Sequence, residues 1–172
     1  MEALGKEEAA LLASYLKKSN GMMRQIEKAM RRKFILMRCL EWILPEQKII
    51  FINAALNYGY SIILSAFTRE VVANGYITQL GLFHDNMFNQ FNLASDLMEP
   101  FRILVDREVT EMKLLQFEHE EKMQLVNILN HEILIDGKTQ YVNNAIKIYC
   151  KSVFDALEED DSLLIRFYGI EL

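Results

Sequence analysis

The side chains best suited to chemistry in this chain are one histidine and two carboxylates near its middle. His84 stands 15 positions before Glu99, and Asp96 lies one helical turn before Glu99, so the two carboxylates would share a helix face. Imidazole and carboxylate groups are ligands of divalent metal ions. A lone histidine in a loop is more often a surface or capping residue, however, and the spacing alone favours that interpretation.

The elements that would position these groups are predicted to be mostly helices, because their apolar residues recur with helical periodicity. Residues 6–18 predict a helix that ends in lysines, where the helix dipole favours cations. A long apolar helix is predicted at residues 52–73, with Gly75 as its stop. Residues 74–90 are predicted to form a short helix and loops.

The second half of the chain shows the same pattern. Residues 91–115 predict a helix with a kink or break at Pro100, and residues 116–130 predict a charged amphipathic helix. A turn is expected at Asp136 and the glycine after it, before a last helix at residues 139–157.

Length and composition favour one compact all-α domain over residues 1–172, since the chain has seven glycines and two prolines. Met1 is followed by an acidic residue, and no apolar run is expected to approach the ~20 residues that span a bilayer. We therefore expect no membrane association. Cys39 and Cys150 make no disulfide framework, which predicts a cytoplasmic location.

The net charge of −5 does not favour a nucleic-acid-binding protein. The charge is uneven, because residues 17–51 hold nine Lys or Arg against three Asp or Glu, and the remainder holds ten against twenty-one. Residues 24–38 could form an amphipathic basic helix that contacts DNA, a membrane or a partner.

Three segments carry a resemblance to a known family. They read NAALNYGYSIILSAFTRE (53–70), NGYITQLGLFHDN (74–86) and FNQFNLASDLMEPFR (88–102). They closely resemble the helical domain of the CRISPR adaptation integrase, the first CRISPR-associated protein, in its type II form. A looser resemblance continues through residues 134–157 to the C-terminus. It implies a C-terminal helical catalytic domain whose N-terminal β domain is missing before Met1.

The resemblance implies a metal-dependent chemistry. The family cuts and joins DNA with Mg²⁺ or Mn²⁺, held by a glutamate, a histidine and a second acidic residue. His84 and Glu99 occupy the positions of the histidine and the second acid, so the resemblance implies that both are catalytic metal ligands. From its helical spacing to Glu99, Asp96 could be a nearby supporting carboxylate. The first glutamate is expected upstream of Asn53, where the sequence lacks it.

Four further polar residues lie in or beside the matching segments: Arg69, Asn86, Asn89 and Arg102. They could contact phosphates or hold the metal ligands. Alternatively, Arg102 pairs with Asp106 on its own helix, and the two asparagines cap or turn the loop.

The remaining aromatic and histidine candidates have simpler interpretations. Tyr60 and Phe67, two helical turns apart, are assigned to the core rather than to base stacking. His119 and His131 lie among charged residues and are expected to be solvated.

The function that the resemblance implies is integration of new spacers into the CRISPR array. The implied partners are double-stranded DNA of the protospacer and repeat, a second copy of the chain in a homodimer, the second CRISPR-associated adaptation protein, and the type II effector nuclease. The alternatives are a non-catalytic helical module that binds DNA or protein, and a helical remnant with neither activity.

Residues 19–51 do not resemble the family. Each residue from Gln25 to Phe51 can be converted to its possible codons, and the resulting DNA can be read in the frame that starts at the third base of each codon. One permitted choice of codons then gives NREGHAAKVYFNALFGMDFTRAEDNF, the missing family segment. Only the first base of each new codon is free, so chance agreement over such a run is not expected. We hypothesise that residues 19–51 are translated out of frame.

This hypothesis divides the chain into a family-like helix at 1–18, an out-of-frame segment at 19–51, and a family-like core at 52–172. The codon of the missing glutamate would overlap those of Glu27 and Lys28, and two compensating insertions or deletions would bound the segment. The basic charge of the segment would then never have been selected.

Overall fold

The computed structural model describes residues 45–82, 84 and 86–169. Its helices are α1 (Glu46–Ala73), α2 (Asn92–Met98), α3 (Arg102–Glu111), α4 (His119–Val126) and α5 (Val142–Glu158). Single 3₁₀ turns lie at Glu99–Phe101, Asn127–Asn130 and Ser162–Leu164, and the strands are β1 (Glu132–Ile135), β2 (Lys138–Tyr141) and β3 (Tyr168–Gly169). The helix predicted at 6–18 and residues 19–44 of the proposed out-of-frame segment lie outside the described residues.

The long helix α1 is the centre of the fold. Its buried face includes Leu56, Ile63, Phe67 and Val71, and the other four helices named above all pack against α1. The sequence predicted a helix over 52–73. The helix instead begins six residues earlier, inside the segment assigned to the other reading frame.

The apolar character of α1 corrects one expectation from the sequence. The stretch from Ile49 to Thr68 contains no charged residue, and α1 has a window of mean hydropathy 1.5. By length and composition this helix could cross a membrane, so the statement that no run approaches ~20 residues was wrong. The other described helices pack on α1, and 28% of this apolar window is buried inside the described structure.

An aromatic cluster joins α1 to the break between α2 and α3. The rings of Phe67 and Phe101 meet edge to face with centroids 5.2 Å apart, and Tyr168 lies 4.5 Å from Phe101. The buried Tyr168 hydroxyl donates to the carbonyl oxygen of Pro100 at 2.7 Å. The break expected at Pro100 is therefore a 3₁₀ turn that the core holds from two sides.

The fold is mostly helical, as predicted, but it includes a small antiparallel sheet that the sequence analysis missed. β1 pairs with β2 on one side and with β3 on the other. Asp136 and Gly137 both have positive φ, 54° and 71°, which is the geometry of a tight hairpin turn. The expected turn thus joins two strands.

Two helix predictions need correction beside that sheet and before α2. The helix predicted over 116–130 is divided into α4 and a 3₁₀ turn, and the helix predicted over 139–157 begins only at Val142 because β2 precedes it. No helix occurs among the described residues of 74–90, which form turns and irregular backbone.

Gly59 provides a test of the packing between α1 and α3. A Cβ at this position would lie 2.4 Å from Val105 Cγ1, and valine is stiff at χ1. We expect Gly59→Ala to destabilise the fold by about 1–3 kcal/mol, although alanine normally favours a helix over glycine. Urea unfolding followed by circular dichroism measures the change.

Ser65→Ala on the exposed side of α1 is the matched control, expected to change stability by less than about 0.5 kcal/mol. Adding Val105→Ala should restore part of the loss in Gly59→Ala. A Gly59→Ala protein more stable than the wild type would contradict the close packing.

Candidate functional site

The irregular loop that carries His84 is fixed to the start of α2. The side-chain amide of the buried Asn92 donates to the carbonyl oxygens of Gln79, at 3.0 Å, and of Asn86, at 2.9 Å. Gly81 lies where a Cβ would come within 2.2 Å of the His84 carbonyl oxygen. Only glycine fits there, so backbone contacts determine where His84 lies.

Asp96 orients the imidazole of His84. Its side chain is 2% exposed, Oδ1 lies 2.5 Å from His84 Nδ1, and Oδ2 accepts the backbone N–H of Leu82 at 2.5 Å. A carboxylate accepts, so Nδ1 carries the proton in the neutral ring, and Nε2 on the other side has a lone pair for a ligand. Metal-binding histidines commonly have such a carboxylate partner.

Glu99 begins the 3₁₀ turn after α2, three residues after Asp96. Its Oε1 lies 3.0 Å from Arg102 Nε in an ion pair. Burial raises the pKa of Glu99, while the positive charges of Arg102 and of protonated His84 lower it. Asp96 and Asp106 raise the pKa of Glu99 further, which places both carboxylates within electrostatic range of it.

The cluster therefore holds three carboxylates, Asp96, Glu99 and Asp106, and one guanidinium, Arg102. An imidazole and a carboxylate are donors that divalent ions such as Mn²⁺ accept. The number of donors is small, however. Among the described residues no three His, Cys, Asp or Glu side chains are grouped so that they could hold a metal ion. The described residues therefore supply only some of the ligands that a metal site would need.

Of the four supporting residues proposed from the sequence, only Arg102 contacts one of the two proposed metal ligands directly. Arg102 reaches Glu99, whereas Arg69 lies 2.6 Å from Asn143 Oδ1 on α5 and beside Glu70. The side-chain oxygens of the two loop asparagines accept backbone N–H groups two residues later, at 3.0 Å for Asn86 and 2.9 Å for Asn89. The asparagine contacts match the alternative interpretation, in which these residues turn the loop.

The sequence analysis missed part of the cluster. Tyr60, which was assigned to the core, donates its hydroxyl to Asp106 at 2.5 Å and lies under the Arg102 guanidinium, 4.9 Å from the ring centroid. Arg102 pairs with Glu99 rather than with Asp106. A tyrosine assigned to the core still has a hydroxyl that needs a hydrogen-bond partner, and this requirement was the signal in the sequence. Tyr60 directly follows Gly59, where α1 and α3 approach closely.

A second polar group lies away from this cluster. Glu108 accepts from Gln124 at 2.8 Å and lies 3.7 Å from His131, so His131 is partly exposed but also part of an ion pair when protonated. Glu108 and His131 border a cavity of about 480 Å³ between α3, the Asn127–Asn130 turn and β1. His119 is exposed at the start of α4, as expected.

Residues 51–132 match the sequence model of a family described as CRISPR associated protein Cas1. The chain is 44% identical to the CRISPR-associated endonuclease Cas1 of Neisseria meningitidis serogroup C (strain 8013) over 61 residues, 36% of this chain and 20% of that protein. It is 36% identical to the CRISPR-associated endonuclease Cas1 1 of Archaeoglobus fulgidus over 104 residues, 52% of this chain and 30% of that protein. The matches thus span a third or less of these relatives.

A solved structure, titled casposase bound to integration product, has the same fold with a TM-score of 0.53. The superposition covers 64% of this chain and 38% of that chain, with 22% sequence identity. The family match includes both His84 and Glu99.

The raised pKa of Glu99 predicts a pH dependence of stability. At pH below the ordinary value of 4.5 the carboxyl is protonated in the folded and unfolded states, and its burial carries no charge penalty. As pH rises through the higher folded pKa, the buried group ionises and the free energy of unfolding falls. Glu99→Gln should remove this fall while keeping an oxygen for Arg102.

Urea unfolding at pH 4 and pH 7.5 measures the effect. The control is Glu111→Gln, an exposed glutamate that pairs with Arg107 on α3. If Glu99→Gln and wild type lose the same stability between the two pH values, the burial argument is wrong.

Proposed function

Because residues 51–132 belong to the Cas1 family, we propose that this chain is an endonuclease and integrase of CRISPR adaptation, acting in the insertion of new spacers into the CRISPR array. The observation that carries the proposal is the pairing of His84 with the buried Asp96, next to Glu99. With Nδ1 bound to Asp96, the imidazole keeps Nε2 for a ligand, and the family match covers all three of these residues.

We further propose that His84 Nε2 and Glu99 would hold Mg²⁺ or Mn²⁺. When bound, the ion would polarise a phosphoryl oxygen and stabilise the attacking and leaving oxygens of strand transfer. Asp96 keeps the His84 ring in the tautomer and orientation that a ligand needs. Arg102 supplies a positive charge for a DNA phosphate, since its guanidinium lies at the carboxylate of Glu99.

The proposed partners follow from the family. They are double-stranded DNA of the protospacer and the repeat, a second copy of the chain, the second CRISPR-associated adaptation protein and the type II effector nuclease, in the cytoplasm. The net charge of −5 makes wide electrostatic binding of DNA by this chain unfavourable. Contacts to DNA would therefore depend on local cations such as Arg102.

The two donors also support the proposal that this copy is catalytically impaired. The third ligand of the family, a glutamate, would be encoded in the other frame across the codons of Glu27 and Lys28. A non-catalytic helical module remains the alternative function, favoured by the absence of a three-donor group in the described part of the chain.

A strand-transfer assay tests the function. The assay compares the 172-residue chain with a version in which residues 25–50 carry NREGHAAKVYFNALFGMDFTRAEDNF, on a labelled DNA end and a repeat-containing target with Mn²⁺. We expect the restored version to integrate at least roughly 100-fold faster, since even indirect partners of a metal site change activity by 10–100-fold. His84→Ala should abolish that activity.

Lys138→Ala in β2 serves as the control and should integrate normally. DNA binding without turnover in both versions, unaffected by His84→Ala, would refute the integrase proposal in favour of the binding module.

The frame hypothesis has its own test in the gene. Sequencing from codon 15 to codon 55 on fresh DNA should give codons that spell EGHAAK when read from their third bases. Two insertions or deletions that disappear on resequencing would return the glutamate to the protein. Codons that cannot produce this motif in that frame would end the hypothesis.

A further inference from the structure

Arg102 has two carboxylates within reach along its own chain. Glu99 lies three residues before it, and Asp106 lies four residues after it, the separations at which helical side chains meet. A partly buried guanidinium between two such acids could pair with either. The structure pairs it with Glu99 as an ion pair: the buried Nε lies 3.0 Å from Oε1, although the contact is not aligned as a hydrogen bond.

Tyr60 of α1 contacts both of the groups that decide this choice. Its hydroxyl donates to Asp106 Oδ1 at 2.5 Å and so engages one of the two oxygens of the competing acid. Its ring lies under the guanidinium of Arg102, a cation–π contact at 4.9 Å. Burial and the hydrogen bond to Asp106 raise the pKa of Tyr60, so its hydroxyl stays protonated and donating.

We propose that Tyr60 is a positioning residue that assigns Arg102 to Glu99 instead of Asp106. The hydroxyl binds Asp106, the ring supports the guanidinium over α1, and the remaining acid within reach is Glu99. One aromatic side chain on α1 thereby selects between two local pairings on the segment from α2 to α3.

The consequence for the site rests on the proposed function. With Arg102 on Glu99, a positive charge lies at the carboxylate that would hold the metal ion, where a DNA phosphate would arrive. With Arg102 on Asp106, the guanidinium would be displaced along α3 by about one helical turn. Tyr60 would then determine whether the cation is available at the site.

The test uses the ¹⁵N-labelled 172-residue chain without metal or DNA, so its outcome is independent of the proposed function. The reporter is the Arg102 Nε–H signal in NMR, its chemical shift and its hydrogen-exchange rate. When Tyr60 is present, Glu99→Gln should shift this signal and Asp106→Asn should leave it nearly unchanged.

In the Tyr60→Phe protein, which keeps the ring and loses the hydroxyl, the dependence should reverse. Asp106→Asn should now shift the Arg102 signal and Glu99→Gln should not. We also expect Nε–H exchange to become about tenfold faster, because Nε leaves its buried position. The double variant Tyr60→Phe with Asp106→Asn removes the competing acid, and should return the signal to its wild-type position.

Tyr58→Phe on the same helix is the matched control, since Tyr58 contacts Phe117 through its ring and should not affect Arg102. Thermal unfolding of each variant identifies any loss of fold, and the double variant reports on the pairing even if Tyr60→Phe alone is destabilised. An Arg102 signal that still depends on Glu99 in Tyr60→Phe, or a double variant that does not restore it, would overturn the proposal.

Discussion

The buried carboxylate of Asp96 is the group on which the geometry of the site depends. An ionised carboxylate inside a protein is costly unless hydrogen bonds replace the water that it loses. Here one oxygen engages the His84 ring and the other accepts the Leu82 backbone N–H. Moving the loop away would break these contacts to a buried charge, so they hold the loop in place although it has no regular secondary structure.

The break after α2 complements this constraint. Pro100 has no N–H to continue an α-helical ladder, and the buried Phe101 anchors the turn in the aromatic cluster. Glu99 therefore projects from a turn whose backbone is fixed on its C-terminal side, while Asp96 fixes the loop on the other. The two halves of the site are positioned by separate parts of one core.

Much of this arrangement could be predicted from the sequence, and the exceptions have physical reasons. The long apolar pattern of α1 and the break at Pro100 are local properties and were found. The strands β1 and β2 were missed because each has only four residues, too few for an alternating pattern to compete with the helical periodicity around them. Their turn at Asp136 was recognised from its residue types alone.

The pairing inside the cluster could not be derived from local spacing. Arg102 has an acid at both helical separations, and the choice between Glu99 and Asp106 involves Tyr60, which is 46 positions from Asp106 in sequence. Periodicity assigned Tyr60 to the core, against which its ring packs, but it carries no information about where a hydroxyl will find an acceptor. Contacts of this kind appear only when two distant segments are brought together.

The small sheet also has a consequence for how these chains behave at high concentration. Its order is β2–β1–β3, so the outer strands β2 and β3 present the edges in the described part of the chain. An exposed edge is a template on which another chain can add a strand and begin an aggregate. β3 has two residues, and β2 has four and begins with Lys138, so neither edge offers a long, uncharged row of backbone groups. The brevity that hid these strands in the sequence thus also protects the folded chain against edge-to-edge aggregation.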